Sequence, residues 1–234
     1  MAGDTPGWLP AVVIPVWLVL NIGLNSYNKW VFSSPEAQGY GASFEFPMFY
    51  SAANMVATVI GALLLTALKL PGTEPISLSK FTTYWWQLSL LSIFFAISLV
   101  TNNASLESIG LSVNQIVKAC TPLPTMLLSC FIEQKRYSIP VMASVAALVA
   151  SACGAIPYGD PTATPIGLVL VIISAVAIAA KISLSALLMS KTAGPGFAPV
   201  TLAFYDSTLS FLFLALMWLG DPDERDTSIA FIKR

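Results

Sequence analysis

Apolar positions along this chain do not alternate with polar ones; they accumulate in uninterrupted runs separated by short polar segments. Seven such runs stand out, approximately Trp8 to Val31, Pro47 to Leu70, Tyr84 to Leu106, Ile109 to Ile132, Ile139 to Tyr158, Pro165 to Ser190 and Pro199 to Gly220. Each is near the roughly 20 residues that a helix needs to cross about 30 Å of hydrocarbon. The connections are short and carry turn formers, as at Leu70-Pro71-Gly72, Tyr158-Gly159-Asp160-Pro161 and Gly194-Pro195-Gly196. The pattern predicts an all-α membrane protein, a polytopic bundle of about seven transmembrane helices with no soluble domain. The first run lacks a basic segment before it and exceeds a signal-peptide core in length, so it reads as a retained helix. Met1 to Pro10 contain neither Arg nor Ser, which disfavours a transit peptide.

Composition agrees, with 56% hydrophobic and 10% charged residues in 234 and a mean hydropathy of +0.76. Eleven Lys and Arg against twelve Asp and Glu leave a net charge of −1, which provides no basic field for nucleic acid. The absence of His removes His-based catalytic triads, most zinc sites and haem ligation. Cys120, Cys130 and Cys153 lie in apolar runs without metal-ligand spacing. No catalytic residue, metal ligand or cofactor is expected, and the chain is not read as an enzyme. The charges also orient it. Lys69, Lys80, Lys135, Arg136 and Lys191 fall in alternate loops, opposite those with Glu36, Glu45, Glu107 and Asp160, so the N-terminus is expected in the cytoplasm.

Small residues spaced by four let helices approach closely in lipid. Ala143, Ala147 and Ser151, the parallel row Ala146, Ala150 and Gly154, and Ala175 with Ala179 are therefore expected at helix interfaces. The informative residues are the ionisable ones at depth, because a charge at the bilayer centre costs about 2.5–3.5 kcal/mol. Lys118, Lys181 and Asp206 qualify. Lys118 lies roughly 14 residues, or about 21 Å, from the inner end of its helix. Asn114, Thr121 and Thr125 extend its face at helical spacing, as expected for a cavity wall. Pro122 and Pro124 remove the helical hydrogen bonds to the Lys118 and Cys120 carbonyls, which predicts a broken helix with free acceptors beside the charge. The alternative is a kinked helix whose lysine reaches to the interface. Lys181 and Asp206 either pair with each other or leave Lys181 facing the cavity. Asn21, Asn25 and Asn28 on the first run, and Tyr50, Asn54 and Thr58 on the second, form further polar stripes suited to a hydroxylated solute or to helix-helix hydrogen bonds.

The run Val113-Asn114-Gln115-Ile116-Val117-Lys118-Ala119-Cys120-Thr121-Pro122, continued by Leu123-Pro124-Thr125, resembles the fourth-helix signature of the triose-phosphate and nucleotide-sugar translocators of the drug/metabolite transporter superfamily. Asn28-Lys29-Trp30-Val31, Lys181 with Leu188-Met189, and Phe204-Tyr205 resemble further places in that family. The resemblance implies a secondary antiporter that exchanges a phosphorylated sugar or nucleotide sugar for phosphate or a nucleotide monophosphate, in the membrane of the Golgi or endoplasmic reticulum, or alternatively the plastid envelope. It assigns Lys118 to the substrate phosphate; Asn114, Gln115, Thr121, Lys181, Asn25, Tyr50 and Asn54, polar groups within the apolar runs, are the remaining expected substrate contacts. The family's frequent Thr-His is Asn114-Gln115 here, and Gln115 can donate a hydrogen bond but cannot titrate. A homodimer is a further expectation, beside the competing classes of a seven-helix receptor or a membrane protein without transport activity.

The family fold implied is two inverted five-helix repeats, of which this chain would hold an incomplete set. Residues 1–158 are expected to form the first repeat, 159–220 the first two helices of the second, and 221–234 a polar tail, as in a chain truncated inside the second repeat. Phe49-Tyr50-Ser51 and Phe204-Tyr205-Asp206 are a faint echo between the two halves. Asn103-Ala104-Ser105 fits a glycosylation sequon but abuts the membrane and is expected to be unused.

Overall fold

The structure is a computed structural model that describes residues 12, 15–16, 18–24, 26–27, 47–70, 73–159, 164–190 and 194–232. The described residues from 12 to 27 are helical, in line with the first apolar run, and belong to a unit of their own spanning Met1–Glu45. The remaining helices form the unit Phe46–Arg234. They are α1 (Pro47–Ala67), α2 (Leu78–Ser108), α3 (Leu111–Ala119), α4 (Pro122–Ile132), α5 (Ile139–Gly159), α6 (Pro165–Met189), α7 (Pro199–Gly220) and α8 (Pro222–Ile232).

Among the described residues, five segments are long and apolar enough to span a membrane: Met48–Ala67, Leu78–Leu106, Leu111–Ile132, Pro165–Met189 and Pro199–Gly220. A sixth, in α5, is apolar over Ile139–Ala155. The protein is thus a polytopic all-α membrane protein, as its apolar runs predict. Helix starts follow local chemistry. The Ser77 side chain caps α2 by accepting from the Lys80 N–H, which begins the helix six residues before the apolar run does. Thr164 caps α6 by accepting from the Gly167 N–H, with Pro165 in the first turn where its missing donor is harmless. The expected tail is largely helical: Asp221 Oδ1 accepts from the N–H groups of Asp223 and Glu224 and so starts α8.

The longest helix, α2, is the centre of the unit, packing most extensively on α6 and also against α7. Leu88 and Leu91 of α2 meet Leu184 and Leu188 of α6, Leu202 and Tyr205 of α7, and Phe197 before it. A second cluster joins Ala52 and Met55 of α1 to Ala96 and Leu214, and a third packs Ile109, Val113 and Val117 against Val171. Large side chains such as Phe131 and Ile139, 82% and 81% exposed, point outward as expected of a lipid-facing surface.

Because lipid removes the hydrophobic drive between helices, close approach and hydrogen bonds hold them together. Ser98 of α2 and Ser174 of α6 each donate to the other's carbonyl, at 3.1 and 2.9 Å. Ala175 and Ala179 are buried on α6, as the small-residue spacing predicts. The α5 rows behave otherwise and correct the expectation. Ala143, Ala147, Ser151, Ala146, Ala150 and Gly154 are all exposed, while the helix turns Val145, Val149 and Ala152 inward. Both stripes have helical spacing, so spacing alone does not say which of them meets a neighbour.

Candidate functional site

The expected fourth spanning helix is broken into α3 and α4 at Cys120 and Thr121, with Pro122 as the first residue of the second piece. The free acceptors expected there are absent, which is a correction. The Lys118 carbonyl accepts from the Thr121 N–H at 3.0 Å and from the Thr121 hydroxyl at 2.6 Å, and the Cys120 carbonyl accepts from the Leu123 N–H at 3.0 Å. The chain tightens into three-residue turns across the break, and these re-satisfy the carbonyls that the prolines orphan. Thr125 likewise donates to the Thr121 carbonyl at 2.9 Å.

Lys118 sits half-buried on the last turn of α3. Among the described residues its ammonium has no ion pair and no hydrogen bond, unlike Lys181. Lys181 lies 2.7 Å from Asp206 Oδ2 and 3.0 Å from the centre of the Phe95 ring. The other oxygen, Asp206 Oδ1, accepts from Ser92 at 3.1 Å and from Ser210 at 3.4 Å. One deep cation is therefore neutralised within the bundle, whereas the other has no ion pair among the described residues.

Asn114, expected on the cavity face with Lys118, is completely buried against α2. Its Nδ2 donates to Asn102 Oδ1 at 3.2 Å and to Ser105 Oγ at 2.8 Å, while its Oδ1 has no partner. Asn102 Nδ2 lies 3.4 Å from Asn103 Oδ1, and Asn103 Nδ2 donates to Ser51 Oγ at 2.8 Å. A chain of amides and hydroxyls thus runs from α1 through α2 to the helix that carries Lys118. Sequence reasoning passed over Asn102 as a member of this network. The available signal was Ser98, Asn102 and Ser105 at i, i+4 and i+7 inside an apolar run, one polar face of one helix.

The other expected site residues are scattered. Gln115 is half-buried and its Nε2 lacks a partner. Tyr50 is half-buried and Asn54 exposed on α1. Asn25, and Asn28 beside it in the resemblance, lie outside the described residues. The structure therefore gathers Lys118 with Thr121 at the break and ties Asn114 behind them, while Lys181 is engaged with Asp206.

The profile of the Triose-phosphate Transporter family matches residues 10–224. A probable sugar phosphate/phosphate translocator of Arabidopsis thaliana is 28% identical over 216 residues, covering 90% of this chain and 55% of the relative. The Arabidopsis UDP-uronic acid transporter 1 is 28% identical over 233 residues, 96% of this chain and 69% of the relative. The Arabidopsis UDP-galactose transporter 1 is 28% identical over 134 residues, 57% of this chain and 37% of the relative. The chain spans a little over half the length of the first two curated relatives it matches, 55% and 58%. No solved structure gives a significant match. With the broken helix, its lysine and a family match over nearly the whole chain in agreement, the protein belongs to the Triose-phosphate Transporter family, a family of transporters rather than enzymes.

Proposed function

We propose that the protein acts as a secondary antiporter for phosphorylated sugars or nucleotide sugars, with phosphate or a nucleotide monophosphate as the counter-substrate. The observation that carries this reading is Lys118, an ammonium at a helix break in a spanning segment with no anionic partner among the described residues. An uncompensated charge at that depth costs about 2.5–3.5 kcal/mol, and a phosphate group offsets that cost when it binds. Gln115, with its unpartnered amide donor, is the next contact, and Thr121 and Asn114 hold the backbone that presents the lysine. Tyr50, Asn54, Asn25 and Lys181 complete the proposed substrate contacts, Lys181 through exchange of Asp206 for the solute. Residues 1–158 form the first repeat in this reading and 159–220 open the second, with alternating access around the site between them. In this reading the setting is a Golgi or endoplasmic reticulum membrane for a nucleotide-sugar cargo, and a plastid envelope for a sugar phosphate.

Counterflow in liposomes tests the reading. Labelled sugar phosphates and nucleotide sugars should enter only vesicles preloaded with phosphate or a nucleotide monophosphate, and Lys118→Ala should abolish uptake while Lys118→Arg preserves part of it. Uptake indifferent to the internal solute would refute antiport, and uptake undiminished in Lys118→Ala would refute the assigned role of the lysine.

A further inference from the structure

Helices α1 and α7 pack along each other, and the residues that follow each one return to the beginning of the other. Beyond the end of α1, the Glu74 carboxylate accepts from the N–H of Ala198, the cap residue of α7, at 3.3 Å. The Thr201 hydroxyl in the first turn of α7 accepts from the Glu74 N–H and donates to the Glu74 carbonyl, both at 3.0 Å. Beyond the end of α7, Glu224 Oε1 accepts from the N–H groups of Met48 and Phe49 at 2.8 and 2.9 Å, in the first turn of α1. The pair is therefore antiparallel, with a carboxylate at the positive end of each helix.

Neither helix supplies this charge itself. The first turns of α1 and α7 contain no acidic residue, and Ala198 offers no side-chain cap. A carboxylate satisfies amides that a helix start leaves free and complements its dipole. In both cases the acid follows the partner helix in sequence, so each hydrogen bond closes one end of the pair. Around Glu74 the closure is reinforced by Lys80 at 2.6 Å and by the Tyr205 hydroxyl, which accepts from the Ser77 N–H at 2.8 Å and donates to its carbonyl at 2.9 Å. Around Glu224 it is reinforced by the Trp218 indole, which donates to Ser228 at 3.0 Å and faces Phe49 with ring centres 6.4 Å apart.

We propose that Glu74 and Glu224 are the two latches of the transport cycle, positioning residues that release opposite ends of the α1/α7 pair in alternation. Alternating access requires one end to open while the other stays shut, and the structure has both ends fastened, as an occluded state would. Release at either end begins with the loss of a carboxylate from helix amides that water can then solvate, and at the Glu74 end the bonds of Thr201 and Tyr205 to the backbone must part as well. The inference rests on the transporter reading, but its decisive test needs no transported solute.

The test is amide hydrogen exchange on the whole chain in lipid nanodiscs, with wild type, Glu74→Ala and Glu224→Ala compared. Glu224→Ala should speed exchange at Met48 and Phe49 by on the order of tenfold, and should slow it at Ala198 and Glu74, about 30 Å away along a 21-residue helix. Glu74→Ala should do the reverse. Two independent helix caps would leave the far end unchanged, and that result, or faster exchange at both ends, would overturn the proposal. Glu74→Gln and Glu224→Gln keep an acceptor oxygen without the charge; they should give smaller shifts of the same sign and serve if an alanine variant fails to fold. In counterflow with labelled inorganic phosphate, the two alanine variants should move the half-saturating concentration on a given side in opposite directions, and the double variant should restore it. Absent counterflow with reciprocal exchange intact would count against antiport and for the latches.

Discussion

Replacing Asp206 by Leu removes the carboxylate but keeps the bulk, and leaves Lys181 with the Phe95 ring as its remaining described partner. Both side chains of the pair are mostly enclosed, 17% exposed for Lys181 and 6% for Asp206, so water cannot replace what is lost. Removing one partner of such a pair costs about 3–5 kcal/mol, and the insertion penalty of a lone lysine at depth gives a similar figure of about 2.5–3.5 kcal/mol. The ring interaction, on the order of 0.5–2 kcal/mol, is present before and after and does not alter the difference. Ser92 loses one acceptor but keeps the Leu88 carbonyl at 3.0 Å, so its share is small. The expected destabilisation is thus about 3 kcal/mol. Lys181→Met should cost less, because Ser92 and Ser210 still solvate the carboxylate. The double variant Lys181→Met with Asp206→Leu should lie within about 1 kcal/mol of wild type, since neither charge then remains buried. Equilibrium unfolding in mild detergent, run as a double-mutant cycle, measures the coupling. A cost below about 1 kcal/mol for Asp206→Leu, or effects that add within about 0.5 kcal/mol, would refute the account.

Three further outcomes follow from single contacts. A Cβ on Gly167 would lie 2.6 Å from Ile109 Cγ2 and 2.9 Å from Ser108 Cβ. Gly167→Ala should therefore lower the melting temperature despite a helix-propensity gain of about 1 kcal/mol, because overpacking costs about 1–3 kcal/mol; an unchanged or higher melting temperature would show that Ile109 yields freely. Asn103 is 5% exposed and bonded to Ser51, so translation with microsomes should give a band insensitive to glycosidase; a shifted band would refute its burial. The Lys135 ammonium is hydrogen-bonded to Glu133 at 2.6 Å, which raises its pKa above the ordinary lysine value. A raised pKa means that this contribution is complete below the unfolded value and is lost only as pH climbs through the folded one. The effect of Lys135→Ala should thus stay flat from about pH 6 to 9 and, the lysine being exposed, amount to about 0–1 kcal/mol and fade with salt; titration of the difference below pH 9 would contradict this.

The helices were legible because lipid imposes a single rule, that each crossing segment be long, apolar and internally hydrogen-bonded. The break before Pro122 was legible for the same reason, since proline removes a donor wherever it stands. Packing partners were less so. Ala175 and Ala179 are buried and Ala143 and Ala147 are exposed, although both sets have the same spacing. The helix break lies where it was expected, beside Lys118, but Asn114 turned away from that face toward Asn102 and Ser105. That turn depends on which neighbour α3 meets, and no pattern within α3 contains it.

The class of the protein, the approximate spans of its helices, the broken segment and the presence of three ionisable groups within apolar runs are all readable along the chain, because each follows from the cost of placing a polar group in hydrocarbon. Packing, by contrast, settles that Lys181 is neutralised by Asp206 while Lys118 has no ion pair among the described residues, that an amide chain joins α1 to α3, and that Glu74 and Glu224 close opposite ends of one helix pair. These depend on groups as many as 176 residues apart in the chain. A local pattern fixes what each residue must avoid, whereas the partner that satisfies it is chosen by packing.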